Sequence, residues 1–378
     1  MAAIHEPELS GPKYRQVYAA LEQQIRCGRW KSGDRLPSEA DLVRAFGASR
    51  ITIGRAVRDL QAAGLVERRA GSGTFVKRPS ASPGYSFGLL IPDLGDTEIF
   101  EPMCQGMMAS PLARQHALIW GGMPGGDELK EDRAWELCRH YIDRRVAGVF
   151  FAPLELTPGK DEVNGRIAGA FEEAAIPIVL LDRTVLPYPR RGRHDLVGID
   201  NRRAGYVITE HLLRLGARRI AFVALPHAAA TVDTRQAGYR EALYTWDAPV
   251  DRALVWRIDP ADRSEVERRF ASAAPDGIVC ANDRTAGLLM QTLLRLGLSV
   301  PRDVRLVGID DVDYAALLPV PLTTLRQPTR EIGDAALTTM LERLARPDRP
   351  ARDVLLHAQL VVRESCGGKG SRDGVDGH

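Results

Sequence analysis

Leu36-Pro37-Ser38-Glu39-Ala40-Asp41-Leu42-Val43-Arg44-Ala45-Phe46-Gly47-Ala48-Ser49-Arg50-Ile51-Thr52-Ile53-Gly54-Arg55-Ala56-Val57-Arg58-Asp59-Leu60-Gln61-Ala62-Ala63-Gly64-Leu65 reads as two short amphipathic helices about one tight turn. Ser38, with Asp41 three positions on, is a capping-box start, and Leu42, Val43 and Phe46 give the first helix one buried face. Gly47 permits the turn. Ser49 caps a second helix in which Ile53, Ala56, Val57 and Leu60 recur at helical spacing, and Gly64 supplies a residue able to end it in a left-handed conformation. At about 100° per residue, Ile51, Arg55 and Arg58 fall on the opposite face, with Arg50 and Thr52 at the helix start. Val66 to Val76 then predicts a β-hairpin whose turn is Gly71, Ser72 and Gly73 and whose first strand carries Arg68 and Arg69. Upstream, Tyr14, Val17, Tyr18, Leu21 and Ile25 form the stripe of a leading helix. Three helices and a wing make a winged helix-turn-helix, a fold that brings the amino-terminal residues of its second motif helix to base edges and its wing to phosphates.

Taken singly, an exposed arginine on a helix is a solvated side chain. The charge distribution adds weight to the conjunction. Residues 1–80 hold 14 Lys and Arg against 8 Asp and Glu, a net of +6, while the remainder holds 37 against 41, a net of −4, so the whole-chain +2 conceals a basic head. A basic head favours polyanions through counterion release, and an acidic remainder argues against coating nucleic acid with the whole surface.

The 378 residues exceed what such a head needs and predict two or three folding units. Residues 12–78 are assigned to the head and 79–84 to a linker, because Lys77-Arg78-Pro79-Ser80-Ala81-Ser82-Pro83-Gly84 lacks apolar periodicity and favours extended chain. Residues 366–378, Gly-rich and charged, read as a disordered tail. Five cysteines, at 27, 104, 138, 280 and 366, match neither metal-ligand spacing nor a disulfide framework and fit a reducing compartment. No signal peptide or long apolar run is evident, so a cytoplasmic protein without membrane spans is expected.

Beyond the linker, short apolar runs alternate with amphipathic helical segments, which predicts parallel α/β sheets. Strands are expected at 86–91, 117–120, 148–152 and 177–181 in a first half and at 219–224, 253–256, 277–280 and 304–309 in a second. The halves echo one another: Ala147-Gly148-Val149-Phe150-Phe151-Ala152 resembles Asp276-Gly277-Ile278-Val279-Cys280-Ala281, and strands end at Asp182 and at Asp310. Two similar lobes facing each other with their strand ends would enclose a ligand cleft. Asp93, Asp182, Asn282 and Asp310 stand at those ends, joined by Arg235 at a helix start and Trp256 at a strand end. Carboxylates, an amide and a guanidinium suit paired hydroxyls, and an indole suits the C–H face of a sugar ring. An Asp or Asn after a strand is equally a turn former or helix cap, and Trp256 equally a core residue. Asp311 and Asp313 lack the glycine and closing glutamate of a calcium loop, so no metal is expected.

Two resemblances sharpen these expectations. Leu36-Pro37-Ser38-Glu39, Phe46-Gly47-Ala48-Ser49-Arg50, Thr52 and Gly71-Ser72-Gly73-Thr74-Phe75-Val76 resemble the DNA-binding domain of GntR-family bacterial transcription regulators. The resemblance implies operator contacts at Arg50, Thr52 and the wing residues Gly71, Ser72 and Gly73; Ser49, Arg55 and Arg58 join them as candidates from their helix positions. Gly54 departs from the pattern, which usually has an arginine there; Arg55 can take its place, or Gly54 can let the backbone approach a phosphate. Arg235-Gln236-Ala237-Gly238-Tyr239, Cys280-Ala281-Asn282-Asp283, Val307-Gly308-Ile309-Asp310-Asp311 and Pro321-Leu322-Thr323-Thr324-Leu325 are similar to the effector domain of LacI/GalR-type regulators, whose fold is that of periplasmic sugar-binding proteins. This second resemblance, over 85–365, implies effector contacts at Arg235, Asn282 and Asp310, with Asp182, Trp256 and Asp93 beside them. It also implies three crossings between lobes, lobe 1 taking about 85–196 and 328–353 and lobe 2 about 197–327 and 354–365. A GntR head on a LacI-type body is the arrangement of arabinose-repressor-like regulators, although the LacI-type head and hinge helix are absent.

Enzyme readings fare poorly. Gly121-Gly122-Met123-Pro124-Gly125-Gly126 lacks the Lys-Ser or Lys-Thr of a phosphate loop, and no G-x-S-x-G or H-E-x-x-H occurs. The sequence therefore predicts a cofactor-free homodimeric regulator of double-stranded operator DNA, a repressor of carbohydrate-utilisation genes relieved by a sugar. A regulator answering to a purine or other nitrogenous ligand, and a sugar-dependent activator, are the alternatives.

Overall fold

The computed structural model describes residues 12–26, 29–30, 33–62, 64–69, 72–76, 84–91, 98–121 and 129–368. The chain divides into two compact units, Met1–Gly84 and Tyr85–His378. In the head, α1 (Lys13–Arg26), α2 (Glu39–Phe46) and α3 (Arg50–Ala62) precede the antiparallel pair β1 (Val66–Arg69) and β2 (Gly73–Val76). The capping box forms: the Asp41 amide donates to Ser38 Oγ at 3.2 Å and the Ser38 amide to Asp41 Oδ2 at 3.1 Å. Gly47 (φ 54°) and Gly64 (φ 72°) take the left-handed conformations that close α2 and α3. Val17, Leu21, Leu36, Leu42, Ile53, Ala56, Val57 and Leu60 meet Val66 and Val76 in one core. Each fully buried aliphatic side chain there contributes about 1.5–3 kcal/mol. One pairing was not legible in the sequence: residues 33–36 run along β2, with the Leu36 amide donating to Thr74 O at 2.9 Å and Arg35 bridged to Phe75.

The second unit contains two parallel sheets. The first has six strands: β3 (Ser86–Leu90), β4 (Ala117–Trp120), β5 (Gly148–Phe151), β6 (Ile178–Leu181), β7 (Asp195–Ile199) and β13 (Asp353–Leu356), in the order β13-β7-β6-β5-β3-β4. Its helices are α4 (Phe100–Ala109), α5 (Lys130–Asp143), α6 (Lys160–Glu173) and α11 (Thr329–Ala345). The second has β8 (Ile220–Ala224), β9 (Val255–Arg257), β10 (Gly277–Cys280) and β11 (Arg305–Val307), in the order β11-β10-β8-β9, with α7 (Asn201–Arg214), α8 (Ala230–Thr245), α9 (Arg263–Ala273) and α10 (Asp283–Arg295). Central strands are apolar on both faces, Val149, Phe150 and Phe151 all being buried, as a sheet covered on both sides requires. A short antiparallel pair, β12 (Thr324–Arg326) with β14 (Gln359–Val361), lies beside β11 through the Val307–Thr323 bridge.

The expected lobe boundaries need correction. Cuts at 196/197 and 353/354 fall inside β7 and β13, which pair with each other in parallel from Asp353–Leu196 to Leu356–Ile199. The chain therefore leaves the first lobe after Ile199 and again after Leu356. Ala253 and Leu254 belong to a short 3-10 turn rather than to β9. Each lobe also has one glycine-mediated helix crossing: a Cβ on Gly106 or Gly333 would overlap the facing backbone between α4 and α11, and one on Gly205 or Gly238 the backbone between α7 and α8. The second crossing sets where α8 holds Arg235.

Candidate nucleic-acid interface and ligand cleft

Ser49 caps α3 by accepting from the Thr52 amide at 3.2 Å, and the two hydroxyls lie 2.8 Å apart. Arg50 follows with its side chain 86% exposed and its Nε 3.8 Å from a Glu39 carboxylate that Arg68 of β1 also contacts. Glu39 thus sits between a recognition-helix arginine and a wing arginine. Gly73 (φ 114°) opens β2, and the Arg35 side chain lies against its backbone. Arg35, Arg50, Arg68, Gly73 and Thr74 line one groove of the head. Sequence reading missed Arg35, because only the pairing of 33–36 with β2 brings it to the wing. Arg55, Arg58 and Ser72 are exposed, and Arg55 stacks on Tyr14 of α1, its guanidinium 3.8 Å from the ring centroid. Gly71 lies outside the described residues.

In the body, Arg235, Asn282, Asp310 and Asp182 line one cavity, the first three from lobe 2 and Asp182 from lobe 1. It holds about 60 Å³, room for only a few waters at about 10–15 Å³ each. Arg235 is the centre of the lobe 2 wall. Its Nε donates to Asn201 Oδ1 at 2.7 Å, its Nη1 to Ala281 O at 2.6 Å, and its Nη2 stands 3.6 Å from Asp310 Oδ1. Asn282 caps α10 through the Thr285 amide at 2.9 Å, so its turn-forming role and its place on the cavity wall coexist.

Asp310 (φ 131°) and Asp311 (φ 57°) form a strained turn after β11. Asp283 holds that turn from below, accepting from Thr324 Oγ1 at 2.6 Å and the Val312 amide at 3.1 Å. Asp311 is clamped by Arg326 and Arg363, each at 2.6 Å. Gln327 Nε2 donates to Asp310 Oδ1 at 2.7 Å. Burial pushes the Asp310 carboxyl up to about 8, with Arg235 only partly offsetting it. Burial raises Asp182 as well, against the pull of Arg183 and Arg235. Asp182 (φ 64°) has an Oδ1 with no hydrogen-bond partner among the described residues, and Gln327 Oε1 is in the same position.

Two lobe 1 residues were not foreseen. Arg183, next to Asp182, pairs with Glu155 at 2.7 Å. For Glu155, burial acts to raise the carboxyl, but Arg183 and the Ala229 amide outweigh it and the net shift is downward. The signal for Arg183 was its place beside a strand-end aspartate; Glu155, in a loop after β5, gave none. Trp256 is corrected: it is fully buried in the lobe 2 core with Leu254 and Val266, and its Nε1 donates to Ala253 O at 2.8 Å. Strand alternation turns it inward, on an edge strand remote from the ends of β10 and β11. Asp93 lies outside the described residues. Among the described residues no group of His, Cys, Asp and Glu could hold a metal ion, and no helix is long and apolar enough to cross a membrane. Cys104, Cys138, Cys280 and Cys366 are free and buried.

The model for bacterial regulatory proteins of the gntR family matches residues 13–76, and that for a periplasmic binding protein-like domain matches 209–366. An arabinose metabolism transcriptional repressor of Geobacillus stearothermophilus is 26% identical over 366 residues, covering 94% of this chain and 97% of its own. The chain is a DNA-binding transcriptional regulator with a GntR-type head and a periplasmic-binding-protein-like body. A transcription regulator, GntR, of Chromobacterium violaceum has a crystal structure that covers 75% of this regulator and 100% of that chain, at 26% identity and a TM-score of 0.58. A LacI family transcriptional regulator from Enterococcus faecium with bound ribose shares the fold, covering 74% of this chain and 98% of its own at 23% identity and a TM-score of 0.60. The relatives are regulators rather than enzymes.

Proposed function

We propose that this regulator is a cytoplasmic homodimeric repressor of carbohydrate-utilisation genes that leaves its operator when an uncharged sugar binds between the two lobes of its body. The observation that carries the reading is the buried acceptor Asp182 Oδ1, without a partner among the described residues, on one cavity wall with the Arg235–Asp310 pair on the other. A sugar hydroxyl can donate to Asp182, while a neighbouring hydroxyl accepts from Arg235 and donates to Asp310. Arg183 is paired with Glu155 and Arg235 with Asn201, Ala281 O and Asp310, so two of the three cavity arginines are already engaged, which disfavours a phosphorylated ligand. Without Trp256, the apolar ring face packs on Leu156, Leu225 and Val232. The named arabinose and ribose relatives support a pentose as the first candidate.

On the DNA side, Ser49, Arg50, Thr52 and the wing carry the operator contacts, and two heads related by a two-fold axis call for a pseudo-palindromic site. Calorimetric titration of the full chain with arabinose, ribose, galactose and ribose 5-phosphate tests the ligand, with parallel operator-release assays. Binding of a free sugar with loss of operator affinity is expected; binding of the phosphate alone overturns the charge argument. Arg50→Ala is expected to weaken operator binding by about 1–3 kcal/mol without altering sugar affinity.

A further inference from the structure

Among the described residues of the head, Ile51 is the only large apolar side chain left in water, at 83% exposed. Every other large aliphatic or aromatic residue described there is buried or half-buried. Among the described residues, the core of the head does not include Ile51: the helix already has its apolar face in Ile53, Ala56, Val57 and Leu60. A single exposed apolar residue is ordinarily unremarkable. Its position changes that. Ile51 is the second residue of α3, between the 86% exposed Arg50 and the Thr52 that bonds the capping Ser49. The first turn of the second motif helix is the part that meets base edges in the major groove.

In that groove the four base pairs offer hydrogen-bonding groups and one apolar group, the 5-methyl of thymine. Neither arginine nor threonine hydroxyl makes full use of a methyl, whereas a branched aliphatic side chain does. We infer that Ile51 is a specificity residue that packs against a thymine methyl in each operator half-site, next to the position reached by Arg50. The inference rests on the reading that the start of α3 enters the groove, and it adds a base identity to that reading.

The test starts with selection of the preferred site from randomised duplexes by the full-length protein. Each thymine of the selected site is then replaced singly by deoxyuridine, which removes only the methyl. Wild type is expected to lose about fourfold in affinity at one thymine per half-site, the worth of one buried methyl group. In Ile51→Ala the parent operator should bind several-fold more weakly, and the deoxyuridine effect at that thymine should vanish while effects elsewhere persist. Ile51→Val, which keeps a branched end, should retain most of the discrimination. The side chain is exposed, and melting curves that coincide with wild type will show that both variants fold. Indifference of the wild type to every deoxyuridine, or an effect that survives unchanged in Ile51→Ala, overturns the assignment of Ile51 while leaving DNA recognition by the head intact. Failure of the selection to enrich any sequence would instead overturn both. A change in sedimentation of Ile51→Ala without a change in operator affinity would make Ile51 a contact between copies and also refute the proposal.

Discussion

Asp310→Asn offers the sharpest test of the cleft, because the change is nearly isosteric and its effect depends on pH. The Asp310 carboxyl has an ordinary value of 3.8 and is pushed up to about 8 by burial in the folded chain. Between those values the unfolded chain has released the proton and the folded chain has kept it. Wild-type stability contributed by this group is therefore fully present below about pH 4 and is lost as pH rises toward 8, at up to about 1.4 kcal/mol per pH unit. From pH 5 to 8 that slope sums to an upper bound of about 4 kcal/mol. The side chain is 12% exposed, and this partial solvation reduces the figure to about 1–2 kcal/mol.

Asparagine at 310 cannot titrate, and its amide oxygen can still accept from Gln327 Nε2. The variant and wild type are expected to have similar stability at pH 5, with the variant more stable by about 1–2 kcal/mol at pH 8. Urea unfolding of both proteins at half-unit intervals from pH 5 to 8 measures the difference, in which titrating groups remote from residue 310 cancel. Parallel profiles, separated by a constant offset, would show that Asp310 is already ionised in the fold and would refute the burial argument. The same variant is expected to bind its operator while answering poorly to the sugar.

Gly54 lies within α3, and a Cβ there would meet nothing within 4 Å. Gly54→Ala should stabilise the head by about 1 kcal/mol, read from its melting temperature; an accompanying loss of operator affinity would show that the backbone at 54 approaches a phosphate. Gly238→Ala has the opposite expectation. Its Cβ would overlap the Arg202 carbonyl at the α7–α8 crossing, so the variant should be destabilised by about 1–3 kcal/mol or more and should lose sugar binding through displaced Arg235. Native-like stability with normal sugar affinity would show that α8 is not fixed by that crossing.

The head was legible almost residue by residue because its signals are local: a capping box, two left-handed glycines and an apolar stripe each act within one turn. The pairing of residues 33–36 with β2 was hidden, since it joins segments some forty residues apart. In the body, strands with both faces buried announce themselves as apolar runs, and Val149-Phe150-Phe151 did so. Asp195-Leu196-Val197-Gly198-Ile199 did not, because it opens on an aspartate whose burial is supported by its ion pair with Arg343 at 2.9 Å and by the Arg352 amide at 2.9 Å. The strand 353–356 is half-exposed at the sheet edge and gave a weak pattern. Trp256 misled for a related reason. Its chemistry suited a sugar, but side-chain direction depends on strand register, and one residue of register reverses it.

The cleft explains how a small molecule can select one arrangement of the lobes. Leu156 of lobe 1 donates its amide to His227 O of lobe 2 at 2.7 Å, and the Ala229 amide donates to Glu155 Oε2 at 3.2 Å. Leu156 (φ 64°) and His227 (φ 54°) both hold left-handed conformations, which cost an ordinary residue about 1–2 kcal/mol. These direct bonds between lobes thus coexist with backbone strain at the same contact. A ligand shifts the balance between arrangements only through contacts that differ between them. Asp182 comes from one lobe and Arg235 and Asp310 from the other, so a ligand bonded to both sets makes its full complement only at a lobe separation that spans it, wider than the present one with its cavity of about 60 Å³. Moving an equilibrium from 1:99 to 99:1 requires about 5.5 kcal/mol, and hydrogen bonds to charged groups contribute about 1.5–3 kcal/mol each. Two to four such bonds suffice. The unpartnered Asp182 Oδ1 and the Arg235–Asp310 pair supply that number for a ligand with adjacent hydroxyls, whereas a ligand bonded to one lobe alone would occupy the cleft and leave the balance where it was.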